Sequence, residues 1–305
     1  MIDTVDLTRK FGEKTAVDGL TLHVNDGEVF GFLGPNGAGK TTTVRMLTCL
    51  ISKTSGEARI GEYQIGKKED QVKIRKMIGL LPENAGLYDD LSAYENLDFY
   101  ARLYKMAEAK RKENIERFLK MLDLWDRRDQ TAGTFSKGMK QKLAIARALI
   151  HDPQVLFLDE PTANLDPEAS KTVRDFILEL KREKKTIFLN THNLDEAQRI
   201  CDRIAILNTK LMAVGVPETL MESVQGRKVS VKLAEVNEAV LTAVKLAGYE
   251  KVKIDGRNLV IDVRDPEGEN PKIIEAIVKA GGHVQFVNDI HSTLEDVYLK
   301  LVRGG

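Results

Sequence analysis

The segment Gly34-Pro35-Asn36-Gly37-Ala38-Gly39-Lys40-Thr41 follows directly on an apolar run, Val29–Leu33, and leads into a helical pattern through about Ile51. No other stretch constrains the fold so tightly. A G-x4-G-K-T string between strand and helix turns successive backbone N–H groups inward around phosphate oxygens, and the helix N-terminus adds its positive dipole end. In this reading Gly34, Asn36, Gly37, Ala38, Gly39 and Thr42 shape the cradle. Lys40 bridges β- and γ-phosphates, and the Thr41 hydroxyl is set to ligate Mg²⁺.

A second centre lies at Val155-Leu156-Phe157-Leu158-Asp159-Glu160-Pro161, an apolar strand ending in two carboxylates. Ligands of open α/β sheets sit at the carboxyl ends of strands, so Asp159 and Glu160 are expected to face the phosphate loop. Mg²⁺ wants an oxygen ligand and attack on a γ-phosphorus wants an oriented, deprotonated water. Asp159 is therefore assigned to the metal and Glu160 to the water.

Short apolar runs at Val29–Leu33, Val155–Asp159, Ile187–Asn190 and Ile204–Leu207 alternate with longer helical patterns. That alternation points to an α/β domain with a largely parallel sheet buried on both faces. A helical block at roughly Leu91–Arg128 opens with a capping box, Ser92 and Glu95. A further helix, about Pro167–Lys184, has Asp166 as N-cap, Pro167 at its first position and Val173, Phe176, Ile177 and Leu180 on one stripe.

The 305 residues favour two domains, because single cores stop growing at roughly 250–300 residues. Hydrophobic residues at 42% suffice for proper cores. Basic and acidic residues number 46 each, and each part on either side of Gln225 is separately balanced, so no domain carries a general nucleic-acid footprint. Val29–Gly39, the longest run without a charge, is far short of the roughly 20 apolar residues of a membrane helix. The opening MIDTVDLTRKFGEK lacks the apolar core of a signal peptide. Cys49 and Cys201 show no CxxC spacing and read as free thiols of a reducing compartment.

Phosphate loops serve many activities, and the string Thr134-Phe135-Ser136-Lys137-Gly138-Met139-Lys140-Gln141-Lys142, leading into LAIARALI, narrows them. Here the sequence resembles the ATP-binding subunits of ABC transporters, with Phe135–Met139 similar to their signature. The resemblance covers about residues 1–224 and implies a phosphate-loop NTPase fold with a helical subdomain at about 88–150. It implies that Phe11 stacks on adenine, that Ser136 and Gly138 contact phosphate, and that Asp166, in Ala163-Asn164-Leu165-Asp166, touches the opposing subunit. It also implies that His192 is a switch histidine at the γ-phosphate, beside Lys40 and Glu160 in the catalytic set. Glu83 stands where most relatives carry a metal-linked glutamine, and Lys137 and Met139 replace a glycine and a glutamine. Pro82-Glu83, Gly86-Leu87-Tyr88 and Ser-Lys-Gly-Met resemble the branch serving drug, sodium or polysaccharide exporters (ABC-2 type).

One set of motifs implies pairing with a second ATPase subunit, a copy or a homologue, holding ATP and Mg²⁺ at the shared interface. Transport implies separate transmembrane permease subunits, no nucleic-acid partner, and a cytoplasmic chain held at the inner face of the membrane. Among the segments expected near the permease, Tyr88, Tyr94, Phe99 and Tyr100 read individually as core. The alternatives are a non-transport ABC ATPase acting as a clamp on DNA or the ribosome, and a weakly hydrolysing nucleotide sensor.

From about Gln225 the pattern changes to strand Lys228–Leu233, helix Val236–Leu246, strands Lys251–Ile254 and Leu259–Val263, helix Pro271–Ala280, strand His283–Val287 and a last helix from Ser292. Asp255-Gly256 suits a tight hairpin between the middle strands. This βαββαβ order predicts a small α+β, ferredoxin-like domain over 225–305. His283 and His291 read as structural.

Overall fold

The computed structural model describes residues 1–82, 86–225, 227–290 and 293–303. They form two compact units, Met1–Val216 and Pro217–Gly305.

The first unit contains two sheets. The central one has the order β10-β9-β3-β8-β7-β6. Its strands are β3 (Val29–Leu33), β6 (Ile78–Leu81), β7 (Val155–Asp159), β8 (Thr186–Asn190), β9 (Arg203–Asn208) and β10 (Lys210–Gly215). All neighbouring pairs are parallel except β9 with β10. Strands β3, β7 and β8 are buried at every residue, which is why they read as continuous apolar runs rather than alternating ones. Phe188 knits them together, its ring 5.7 Å from Phe30, 5.0 Å from Phe32 and 5.4 Å from Phe157. Register then decides where the chemistry falls. Phe32 pairs with Asn190, and Asn190 pairs with Asp159, so the residues after three adjacent strands emerge side by side.

The other sheet, order β2-β1-β4-β5, is antiparallel: β1 (Ile2–Phe11), β2 (Lys14–Val24), β4 (Ser55–Ile60) and β5 (Tyr63–Gln64). Sequence patterning does not reveal it. Register shifts interrupt β1 between Thr4 and Leu7 and again around Arg9, so the period-2 alternation breaks within the strand.

Helices α1 (Lys40–Leu47) and α2 (Lys68–Met77) flank this part. The helical block resolves into α3 (Ala93–Leu103), α4 (Glu108–Met121) and a 3-10 turn, Trp125–Arg127, followed by α5 (Lys137–Leu149). The Ser92–Glu95 capping box is present at α3. Trp125 lies against cations, the Arg128 guanidinium 4.6 Å and the Lys120 ammonium 5.6 Å from its ring. Helix α6 (Pro167–Arg182) has Asp166 as its N-cap, accepting from the Ala169 N–H at 2.8 Å, and buries Val173, Phe176, Ile177 and Leu180. Helix α7 (Leu194–Ile200) completes the unit. Cys201 is buried and Cys49 half-buried, both free.

The second unit starts with α8 (Pro217–Gln225) and continues β11 (Arg227–Leu233), α9 (Glu238–Leu246), β12 (Val252–Asp255), β13 (Asn258–Val263), α10 (Pro266–Lys279), β14 (Val284–Ile290) and α11 (Leu294–Arg303). Its sheet has the antiparallel order β12-β13-β11-β14, with a core that includes Val229, Val231, Ile261, Ile273 and Ile277. The sequence places the boundary at Gln225; the compact units divide earlier because α8 packs with α11. Helix α10 starts at Pro266, ahead of the expected Pro271, since Pro266 takes the first helical turn and Pro271 lies inside the helix. Ser292 and His291 lie outside the described residues.

Candidate functional site

At the carboxyl ends of β3, β7 and β8 lies a cleft of about 480 Å³. Of the residues singled out in the sequence, Phe11, Asn36, Gly37, Gly39, Lys40, Thr41, Thr42, Asp159 and Glu160 line it. Its floor is the loop between β3 and α1. Two glycines there have a steric reason. A Cβ on Gly34 would lie 2.3 Å from the Leu207 carbonyl oxygen; one on Gly39, whose φ is +100°, would lie 2.3 Å from that of Ala16. Gly34 and Ala38 shape the loop from behind. Ala38 donates its N–H to the Pro35 carbonyl at 3.1 Å, and its own carbonyl accepts from the Thr209 N–H at 2.9 Å.

Lys40 is buried, its Nζ donating to the carbonyls of Gly34 at 2.7 Å and Pro35 at 3.2 Å. Burial pushes its pKa down, opposed by the charges of Glu160 and Asp159. The ammonium is thus held at the loop by groups that a phosphate can replace. Thr41 Oγ1 donates to Asp159 Oδ2 at 3.3 Å, and the Asn190 amide donates to the other carboxylate oxygen. Thr41 and Asp159 therefore present hard oxygen donors side by side, with no sulfur or imidazole between them, a set that fits Mg²⁺. Glu83 lies outside the described residues.

Glu160 adopts a left-handed backbone, φ +52°, and its N–H donates to the Asn190 carbonyl at 2.8 Å. A non-glycine residue there is strained, and such strain persists where surrounding structure over-determines it. Its Oε1 lies 2.8 Å from His192 Nδ1, with the imidazole side chain 67% exposed and the glutamate 20%. His192 stands at the rim, tethered to Glu160 and open to solvent.

Phe11 is 48% exposed beside the cleft, with the Arg9 guanidinium 4.4 Å from its ring. It has left the core to offer a flat apolar face. Ser136, Gly138 and Asp166 do not line this cleft. Ser136 caps α5, accepting from the Met139 N–H at 3.3 Å, and the α5 start packs by the α6 cap, where a Gly138 Cβ would stand 3.8 Å from Asp166 Oδ2. The Gln141 side chain ties α5 to the loop after β7, donating to the Pro161 carbonyl at 3.0 Å.

The sequence reading missed Lys14, Ala16 and Asn190, which also line the cleft. Asn190 carries a usable signal, a polar residue ending a fully apolar strand. Tyr88 and Phe99, read as core, are instead exposed, clustered edge-to-face at 5.1 Å with Tyr100 beside them. Tyr100 also lines a groove of about 300 Å³, together with Tyr104, Arg75 and Arg147 among others.

Fold and cleft together define a phosphate-loop nucleotide hydrolase. The sequence profile described as "ABC transporter" matches residues 17–163. The bacitracin transport ATP-binding protein BcrA of Bacillus licheniformis is 36% identical over 100% of this chain and 98% of its own. The linearmycin resistance ATP-binding protein LnrL of Bacillus subtilis (strain 168) is 33% identical over 86% of this chain and 85% of its own. Among solved structures, a dimeric ATP-binding cassette in a post-hydrolysis state, bound to ADP and Pi, superposes with a TM-score of 0.64 at 27% identity, covering 71% of this chain and 98% of that one. The chain belongs to the ATP-binding proteins of ABC transporters and is an ATPase. Among the described residues no helix is long and apolar enough to cross a membrane.

Proposed function

We propose that this chain is the motor subunit of an exporter, pairing with a second ATPase subunit and driving separate permease subunits at the inner face of the cell membrane. The transport and resistance roles in the names of BcrA and LnrL support export. One observation carries the catalytic reading: a buried lysine and two carboxylates line one cleft at the ends of three adjacent strands, and a histidine stands against the second carboxylate.

In this reading Phe11 stacks on adenine, and the Asn36–Thr42 segment wraps the phosphates. Lys40 exchanges the Gly34 and Pro35 carbonyls for β- and γ-phosphate oxygens. Thr41 and Asp159 hold the metal, joined by Glu83. Mg²⁺, when bound, offsets phosphate charge as the γ-phosphoryl leaves. Glu160 orients and deprotonates the attacking water, and His192 contacts the γ-phosphate. Ser136 and Gly138, at the N-terminus of α5, serve the partner's nucleotide, with Lys137 adding a cation there. Asp166 meets the opposing subunit while capping α6. The groove beside Tyr100 and Arg147 receives the permease.

Glu160→Gln tests this directly. The amide still fits the cleft and cannot take a proton, so ATP binding and a nucleotide-dependent dimer persist while turnover falls roughly 10²–10⁴-fold. Near-normal ATP hydrolysis by this variant removes Glu160 from the base role.

A further inference from the structure

Glu196, on α7, has no part in the catalytic reading above, yet it is 2% exposed and turned toward the site. Its backbone N–H is taken by the Asn193 side chain at 3.0 Å, so its position on the helix is explained by capping; its carboxylate is not. Oε2 accepts from Thr162 Oγ1 at 2.9 Å and lies 3.4 Å from Thr191 Oγ1. Thr191 Oγ1 also stands 3.4 Å from Glu160 Oε2 and accepts from the Asn193 N–H at 3.0 Å. Oε1 is buried and has no hydrogen-bond partner among the described residues.

A carboxylate taken out of water with half its acceptor capacity unused is costly, and such a group calls for a reason. Burial pushes its pKa up, with Arg174 and the threonine bonds opposing. The reason lies in what it joins. Thr162 is two residues past Glu160 on the loop after β7, and Thr191 immediately precedes His192 on the loop after β8. The two loops carry the two groups that meet at 2.8 Å.

We propose that Glu196 is a positioning residue for ATP hydrolysis, its carboxyl tying the Glu160 loop to the His192 loop through Thr162 and Thr191. The proposal rests on the reading of Glu160 and His192 as the hydrolytic pair. The Thr191 hydroxyl has one proton for two carboxylates, both at 3.4 Å, so the 2.9 Å bond from Thr162 is the firm strut. Without it the Glu160 loop keeps its ATP contacts and loses its alignment with the histidine.

The test compares steady-state ATP hydrolysis and equilibrium ATP binding by the full chain, wild type against E196A, T162V, the double variant and E196Q. E196A and T162V each lower kcat roughly tenfold, since small misplacements of reacting groups cost rate. KM and ATP affinity stay within about twofold, because neither residue lines the cleft. The double variant is no worse than E196A, and E196Q, whose amide oxygen still accepts from Thr162, recovers most of the rate. Unchanged kcat in both single variants, multiplying losses in the double, or no rescue by glutamine overturns the proposal. If E196A fails to fold, T162V on its half-exposed loop decides alone. A wild type that binds ATP without hydrolysing it defeats the functional reading, and the positioning role falls with it; a fully active wild type matched by its variants defeats the positioning role only.

Discussion

Burial of single polar residues sets properties that no motif announces. The His151 ring stacks on Tyr104 at 3.7 Å, the two planes nearly parallel, with Nε2 2.9 Å from the Ile78 carbonyl. Burial pushes its pKa from 6.5 down to about 4, the carbonyl opposing. The folded state thus refuses a proton that the unfolded chain accepts. Stability is complete above pH 6.5 and is lost as pH falls from there toward 4, by up to about 3 kcal/mol. Urea midpoints at pH 7.5 and 4.5 check this: wild type drops further than His151→Phe, which keeps the stack and has no proton to gain. His151, Glu196 and Asn190 were illegible as actors because each acquires its role from residues distant in sequence. Lys40, Thr41, Asp159 and Glu160 were legible because local spacing alone brings their chemistry to strand ends.

Elements show the same division. The fully buried strands β3, β7 and β8 declare themselves as apolar runs, and α6 by its Asp166–Pro167 start. The bulged strand β1 does not, since its irregular register scrambles the alternation that identifies a strand. The loop before α3 is pinned in part by a side chain that patterning could not assign. Asn96, fully buried, accepts from the Tyr88 N–H at 2.9 Å and donates to the carbonyls of Tyr88 at 2.9 Å, Ser92 at 2.9 Å and Leu91 at 3.2 Å. Asn96→Ala leaves those groups unpaired and lowers stability by about 2–3 kcal/mol. Denaturant unfolding measures the loss, and ATP affinity stays unchanged because the cleft is built from other elements.

At the scale of the molecule, the division at Val216 rather than Gln225 has a practical meaning. The first unit owns a complete core between its two sheets, including Phe30, Phe157, Phe188 and Ile60. A chain ending at Val216 is expected to unfold cooperatively and bind ATP. One ending at Gln225 keeps α8 without α11, exposing the Leu220 side that is otherwise buried, and is expected to aggregate. Size-exclusion chromatography of the two truncations separates these outcomes. The βαββαβ order of the second unit is legible as alternating strand and helix patterns, whereas the short helix α8, which precedes the change of pattern at Gln225, does not advertise that its partner is α11. The chain's one tryptophan, Trp125, sits in the first unit with two cations against its ring. Fluorescence excited at the indole band is therefore a private reporter of that unit, blind to β11 through α11. Set beside far-ultraviolet dichroism, which sees both, it counts the melting transitions of the intact chain without cutting it.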